Sequence, residues 1–410
     1  MARTRLALIL GIAVLVALVL SFPTLLGLLT DWWWFREIGF QAVFTRQLAT
    51  QALLFLGAGI LTAGTLYANL RVAQRGVVPH PVMVQVGPEM PQLDVTRALH
   101  RVSLPATLVF GLLAGLAATP LWVVVLQAMN RTPFGIADAV FARDVGYYVF
   151  TLPALAAGLS LLSGLALVSL LLVAFIYFVR SDIIVGARFV RVERSAGIHV
   201  AILLATVLLL TAARLWLVDS ANLLYGATGP LVGASYSDLA ARLPGIKVSA
   251  VVAALAAVAV VVGALRDRLP RYALIAVGGY AVVALIGRGL FPMVMQKFVV
   301  APTELTRETP YLAAHITATR QAWGLDSVEV RELAGEASLT LADLRANTPT
   351  LENVRLWERE PLLQTFGQLQ EIRTYYDFVS VDDDRYWIDG KYRQVLLSPR
   401  ELNPASLPTR

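Results

Sequence analysis

The chain has 410 residues, 57% hydrophobic and 15% charged, with no cysteine and a net charge of +6. That is too apolar for an ordinary soluble protein, and it excludes disulfides, thiolate metal sites, cysteine nucleophiles and iron–sulfur clusters. Residues 1–292 hold 21 Lys+Arg against 11 Asp+Glu, residues 293–410 hold 13 against 17, and no basic run is interleaved with aromatics, which argues against nucleic acid.

Ala2-Arg3-Thr4-Arg5 opens like a signal peptide. The apolar run behind it outlasts an h-region of roughly 7–15 residues and no small-x-small cleavage site follows, so we read an uncleaved first helix. Seven stretches then approach the ~20 apolar residues that carry a helix across hydrocarbon. They are Leu6–Leu29, Leu48–Leu70, Val102–Met129, Pro153–Val179, Gly197–Val218 (with only Arg214 charged), Val248–Leu265 and Tyr272–Met295 (with only Arg288 charged). The expected fold is a membrane all-α seven-transmembrane helix bundle over residues 1–295, followed by an α+β extracytoplasmic domain over 296–410.

Loop arginines set the orientation. Alternate loops hold 13 and 6 Lys+Arg, and the positive-inside bias puts the N-terminus in the cytoplasm and residue 296 onward outside. The cytoplasmic link Arg266–Arg271 is expected to form a tight hairpin, with Pro270 helping to break the helix. Trp32-Trp33-Trp34-Phe35 and Tyr147-Tyr148 suit a headgroup belt on the outer side, although an aromatic cage is the alternative. Gln127–Gly146 reads as a short interfacial helix, and Asp219–Lys247 as a long Gly- and Tyr-rich outer loop.

Arg214 and Arg288 are the charged residues inside predicted spans. Such charges are candidate functional sites because charge in hydrocarbon is costly. Both lie in last turns, so snorkelling or structural pairing is the competing reading. Asp219 is the natural partner of Arg214, and Gly287 and Gly289 would let a neighbouring helix approach Arg288. With Asp238 nearby, Arg214, Arg288 and Asp219 are the candidate substrate-binding residues. Gly111-x-x-x-Gly115 matches the small-residue packing motif, but one match is nearly expected by chance in a segment this rich in Gly and Ala.

Beyond Phe298 the pattern becomes amphipathic. Thr309-Pro310 reads as a helix start that Gly324 ends, Ser327–Leu333 as a strand, and Pro361 as the start of a second helix. Asp389-Gly390 between Arg385–Ile388 and Lys391–Leu397 signals a hairpin with a two-residue turn. Asp382-Asp383-Asp384 lacks the spacing of a calcium loop and reads as a solvated turn. Glu304 and Glu308 share a helix face, where capping is the ordinary explanation and acid/base work the alternative. His80, His100, His199 and His315 are scattered without metalloprotease spacing. No phosphate loop, Gly-x-Ser-x-Gly or dinucleotide fingerprint occurs, so no catalytic residue, metal or cofactor is assigned.

Several segments resemble uncharacterised protein family 0182, a group of large bacterial seven-span membrane proteins. They include Trp34-Phe35-Arg36-Glu37-Ile38-Gly39, Pro133-Phe134-Gly135-Ile136-Ala137-Asp138, Asp144-Val145-Gly146-Tyr147-Tyr148-Val149-Phe150 and Gly233-Ala234-Ser235-Tyr236-Ser237-Asp238. Glu308-Thr309-Pro310-Tyr311, Leu369-Gln370-Glu371-Ile372-Arg373 and Asp384-Arg385-Tyr386 continue the match. The resemblance implies seven spans and a large exterior domain, and supplies no established activity. Members look roughly twice as long, and the loop-like end Leu402–Arg410 suggests a truncated reading frame with an incomplete exterior fold. Three functions are carried forward. The first is a multi-pass protein of the cell membrane whose exterior domain binds an envelope component or partner. The second is a transporter or lipid-handling protein, and the third an enzyme at the outer leaflet. The expected partners are the lipid bilayer and an envelope protein or lipid.

Overall fold

The structure is a computed structural model that describes residues 22–75, 83–84, 93–186, 189–227, 232–332, 335, 338–373 and 375–407. It divides into two compact units, Met1–Leu325 and Asp326–Arg410.

The first unit is helical. Helix α1 covers residues 22–37, α2 Gln41–Ala73, and α3 Val95–Ala118. A 3-10 turn through Pro120 joins α3 to α4 (Trp122–Met129). Helices α5 (Leu152–Val179), α6 (Arg194–Arg214), α7 (Leu243–Leu265) and α8 (Leu269–Leu285) follow. Short α9 (Phe291–Met295) leads to α10 (Glu304–Ala322). Two small antiparallel pairs sit in the loops: β1 (Met83–Val84) with β2 (Leu93–Asp94), and β3 (Ile183–Val185) with β4 (Val190–Val192).

Among the described residues six helical runs are long and apolar enough to cross a membrane, the pattern of a multi-pass membrane protein. They correspond to the second through seventh expected spans. Most of the first, Leu6–Leu29, lies outside the described residues, so six membrane-capable helices are present among those described. Each run extends beyond its apolar stretch at one end or both. The sixth span begins at Asp238 rather than Val248, because absence of charge marks the hydrocarbon-facing part and not the helix end. The long outer loop therefore shrinks to residues 226–235, of which 228–231 lie outside the described residues.

Small residues let the helices approach closely. A Cβ on Gly111 would lie 2.7 Å from the Gly59 carbonyl oxygen of α2, and one on Gly115 2.6 Å from that of Phe55. The Gly111-x-x-x-Gly115 match is thus a real contact. Ala201, Ala205, Ala256, Ala257 and Val260 pack α6 against α7, and Leu269 and Ala276 bring in α8. A second cluster joins Leu70 and Ala73 of α2, Val173, Ile176 and Tyr177 of α5, and Ala196 and Leu203 of α6. Between those helices Asn69 donates its amide to the Thr65 carbonyl, which leaves its Oδ1 to accept from His199 Nε2 at 3.0 Å. The His199 Nδ1 then accepts from the Tyr177 hydroxyl at 3.0 Å. This fully paired polar network fixes the α2–α5–α6 register. The α7–α8 hairpin is tight as expected, and the break falls at Asp267, whose φ is 55°. Pro270 sits in the first turn of α8, where its missing N–H is harmless.

Two expected helix features need correction. Gln127–Gly146 is not an interfacial helix. Past Asn130 it is a turn-rich loop pinned by an Ala137–Asp144 bridge and by side-chain oxygens that capture its N–H groups. Thr309-Pro310 does not start a helix either. The helix begins at Glu304, and the Thr309 hydroxyl bonds back to Leu305 instead of capping. Gly324, with φ of 65°, does end the turn that follows α10.

The second unit holds α11 (Leu341–Ala346), α12 (Thr348–Glu352), α13 (Arg359–Gln370), and two antiparallel pairs. These pair β5 (Tyr376–Asp377) with β8 (Glu401–Leu402), and β6 (Asp382–Ile388) with β7 (Lys391–Leu397). Asp389 and Gly390 both have positive φ (51° and 74°), as a type I′ hairpin turn requires. The expected strand at Ser327–Leu333 is absent among its described residues. Asp382–Asp384 form the first residues of β6, not a turn. Their side chains separate, with Asp383 engaged by Arg359 and Gln394 and Asp384 by Tyr386.

Candidate functional site

Four of the long helices change pitch at one end of the bundle. π-helical turns occupy Tyr147–Thr151 before α5, Leu215–Asp219 after α6, Asp238–Arg242 before α7 and Ile286–Leu290 after α8. Such turns are rare and concentrate at functional sites. The geometric effect is specific. Residues five apart on an α-helix point about 140° apart at 3.6 residues per turn. The i→i+5 ladder of a π-turn brings them to the same side, so Arg214 and Asp219 meet: Arg214 Nε lies 3.6 Å from Asp219 Oδ1. From α8, Arg288 Nη2 lies 3.5 Å from the other oxygen of the same carboxylate.

These three residues line a cavity of about 1060 Å³ together with Arg242, Asn222 and Ser163. Arg214 also donates from Nη1 to Ser160 Oγ at 2.9 Å. Leu215, Leu223 and Ile246, packed with Ala250, form an apolar wall. Arg288 reaches the cavity because the flanking chain passes so close to α7. A Cβ on Gly245 would sit 1.9 Å from the Gly287 carbonyl oxygen. Gly289, by contrast, meets nothing within 4 Å, so only the first of the two glycines serves the helix approach.

Asp238 is placed differently. It is fully buried, accepts from the Ser235 N–H and hydroxyl at 3.2 and 2.9 Å, and pairs with Arg242 Nη1 at 2.7 Å. It stands behind Arg242 and is not among the cavity-lining residues. The structure thus brings Arg214, Arg288 and Asp219 together, and gives Asp238 the task of orienting an arginine that sequence reasoning passed over. The i, i+4 spacing of Asp238 and Arg242 was the available signal. Nothing in the sequence marked Ser160, Ser163 or Asn222.

The surrounding segments are held by carboxylates. Burial pushes the Asp138 carboxyl up, but hydrogen bonds from Phe141, Tyr148, Arg143 and Val140 outweigh it and hold the group below its ordinary value. The N–H of Phe134, with those of Gly146 and Gly135, likewise lowers Asp144. Tyr148 carries this order inward, packing with Leu152 against Val218 and Ala221 at the end of α6. On the far side of the loop, Glu308 is 2% exposed and accepts the Tyr236 N–H with both oxygens, at 3.2 and 3.1 Å. Glu304 is exposed, so the two glutamates do not form a pair of equivalent groups. Among the described residues no cluster of His, Asp and Glu is arranged to hold a metal ion.

No solved structure matches the chain. Curated relatives do. A UPF0182 protein of Pelobacter propionicus is 40% identical over 415 residues, covering 100% of this chain and 46% of its own length. One from Cupriavidus necator is 39% identical over 97% of this chain and 44% of its own length. One from Geobacter sulfurreducens is 36% identical over 100% and 46%. The chain therefore spans just under half the length of these relatives. Residues 8–410 match the family described as Uncharacterised protein family (UPF0182), and the chain belongs to that family.

Proposed function

We propose that this protein binds an anionic group at the Arg214–Arg288 cavity, as a lipid-handling or transport component of the cell membrane. The observation that carries this reading is the shared carboxylate. Two guanidinium groups from different helices divide Asp219, while Arg242 has its own partner in Asp238, so the lining keeps an excess of positive charge. Loss of Arg214 or Arg288 by substitution to Ala tests it. An anionic ligand that binds only the folded state raises the unfolding midpoint by mass action. Phosphatidylglycerol added to the purified chain in neutral detergent is expected to raise that midpoint, and phosphatidylcholine to leave it alone. In either Ala variant the phosphatidylglycerol effect is expected to fall by at least half while the lipid-free midpoint stays close to the parent. An undiminished effect in both variants sinks the reading.

In this proposal the cavity lies on the outer side, with the N-terminus in the cytoplasm and the second unit extracytoplasmic. The arginine bias of the loops supports that orientation. The absence of cysteine makes the check clean. A Ser338→Cys variant, altered at an exposed position, is expected to react with a membrane-impermeant maleimide on intact cells. Reaction only after lysis would reverse the orientation. The second unit also keeps open the reading of an anchored exterior domain that binds an envelope component, because it exposes Leu356 and Trp387 while Val381 is its one buried apolar residue among those described.

A further inference from the structure

We infer that the anion taken by this cavity is the phosphate of a bilayer lipid, which enters sideways past Leu285 and displaces Asp219 from the two arginines. The inference rests on the anion-binding reading above and adds the ligand class, its route and the role of Asp219.

Distances distinguish the two carboxylates. Asp238 holds Arg242 at 2.7 Å, within the range of a full charge-assisted hydrogen bond. Asp219 stands 3.6 and 3.5 Å from its two arginines, too far for strong bonds to either. A tetrahedral phosphate presents more acceptor oxygens than a carboxylate and suits the planar guanidinium fork. It can therefore engage both arginines better than Asp219 does. Asp219 then acts as a resident counter-charge, which keeps Arg214 and Arg288 oriented without satisfying them.

A second observation points to an occupant. Ser163 lines the cavity, and its hydroxyl oxygen is turned in and buried with no hydrogen-bond partner among the described residues. A buried hydroxyl left unpaired costs free energy, which a χ1 rotation of Ser163 toward a ligand oxygen in the cavity would recover.

The route follows from the other wall. Ala284 and Leu285 of α8 line the same cavity. Leu285 is 71% exposed, on a helix that also exposes Leu274, Ile275 and Val282. On a membrane-spanning helix such a surface faces acyl chains, so the cavity has a cationic floor and a hydrocarbon-facing side. A free inorganic anion would have no use for that side.

The test compares the parent chain with Asp219→Asn, close to isosteric, in neutral detergent. The probes are short-chain phosphatidic acid, short-chain phosphatidylcholine and inorganic phosphate, each titrated by the rise in unfolding midpoint. Removing a displaced carboxylate is expected to tighten phosphatidic acid binding by about five-fold, equivalent to roughly 1 kcal/mol. Phosphatidylcholine and inorganic phosphate are expected to bind far more weakly than phosphatidic acid. Unchanged or weaker phosphatidic acid binding in Asp219→Asn, with parent binding intact, would overturn the displacement while leaving the anion reading in place. Inorganic phosphate matching phosphatidic acid would overturn the lipid source. If Asp219→Asn unfolds in detergent, Asp219→Ser supplies the same comparison. Loss of the anion reading itself shows separately, as equal binding by the Arg214→Ala and Arg288→Ala variants.

Discussion

Gly245→Leu is expected to abolish the folded protein, with a loss above about 3 kcal/mol, because overpacking at a backbone contact has no soft side chain to absorb it. A Cβ at Gly245 meets the Gly287 carbonyl oxygen at 1.9 Å and its carbon at 2.5 Å, so α7 and the π-turn after α8 must separate. That separation would also move Ile246 and Arg288, which line the cavity from the two sides of the contact. Gly289→Ala is the matched control: two residues away along the same turn from Gly287, it meets nothing and is expected to leave the unfolding midpoint unchanged or slightly higher. Thermal unfolding of both variants, followed by size-exclusion profile in detergent, decides the matter. A monodisperse Gly245→Leu with a parent-like midpoint would refute the close crossing.

Arg180→Ala carries the second large effect. The Arg180 side chain is buried, donates from Nη1 to the Ala73 carbonyl at 2.9 Å and pairs through Nε with Asp182 at 3.0 Å. It ties the end of α5 to the end of α2. Truncating one partner of a buried pair costs about 3–5 kcal/mol, and the lower end applies because Asp182 retains some solvent contact. Burial raises the Asp182 carboxyl despite the opposing pull of Arg180. The folded state therefore binds more protons than the unfolded chain between the ordinary Asp value of about 3.9 and the raised one. Stability from this group is present in full below the unfolded value and is lost as pH rises through the folded value. Without Arg180 the carboxyl rises further, so the deficit of Arg180→Ala is expected to be smallest near pH 4 and to grow toward neutrality, the lower limit being set by that ~3.9 reference. A deficit independent of pH would assign the loss to the Ala73 carbonyl alone.

Hydrophobic length made the membrane helices legible, and Asp389-Gly390 made the hairpin legible, since each depends on a few neighbouring residues. The same holds for the tight link at Asp267. Helix ends were less readable, because Asp238–Lys247 is polar enough to look like loop and is nonetheless helical. The candidate site was visible as two charges in apolar surroundings, and its construction was not. A π-turn inserts its extra residue without a compositional mark, and it shifts everything beyond it by about 100° on the helical wheel. Arg242 escaped notice because Asp219–Lys247 reads as loop, which hid its i, i+4 pairing with Asp238. The pairing of His199 with Asn69 escaped for another reason: each looks like an isolated polar residue until three helices assemble around them.

The run from Leu269 through Ala322 is helical for 54 residues. At 1.5 Å per residue it is about 80 Å long, well over twice the ~30 Å hydrocarbon thickness. Only the π-turn Gln296–Val300 and the 3-10 turn Ala301–Thr303 alter its pitch between α9 and α10. Mechanically it is a rod with a joint: Thr303, with φ of −132° and ψ of 35°, leaves helical geometry between the part that carries Arg288 and the part that carries Tyr311 and His315.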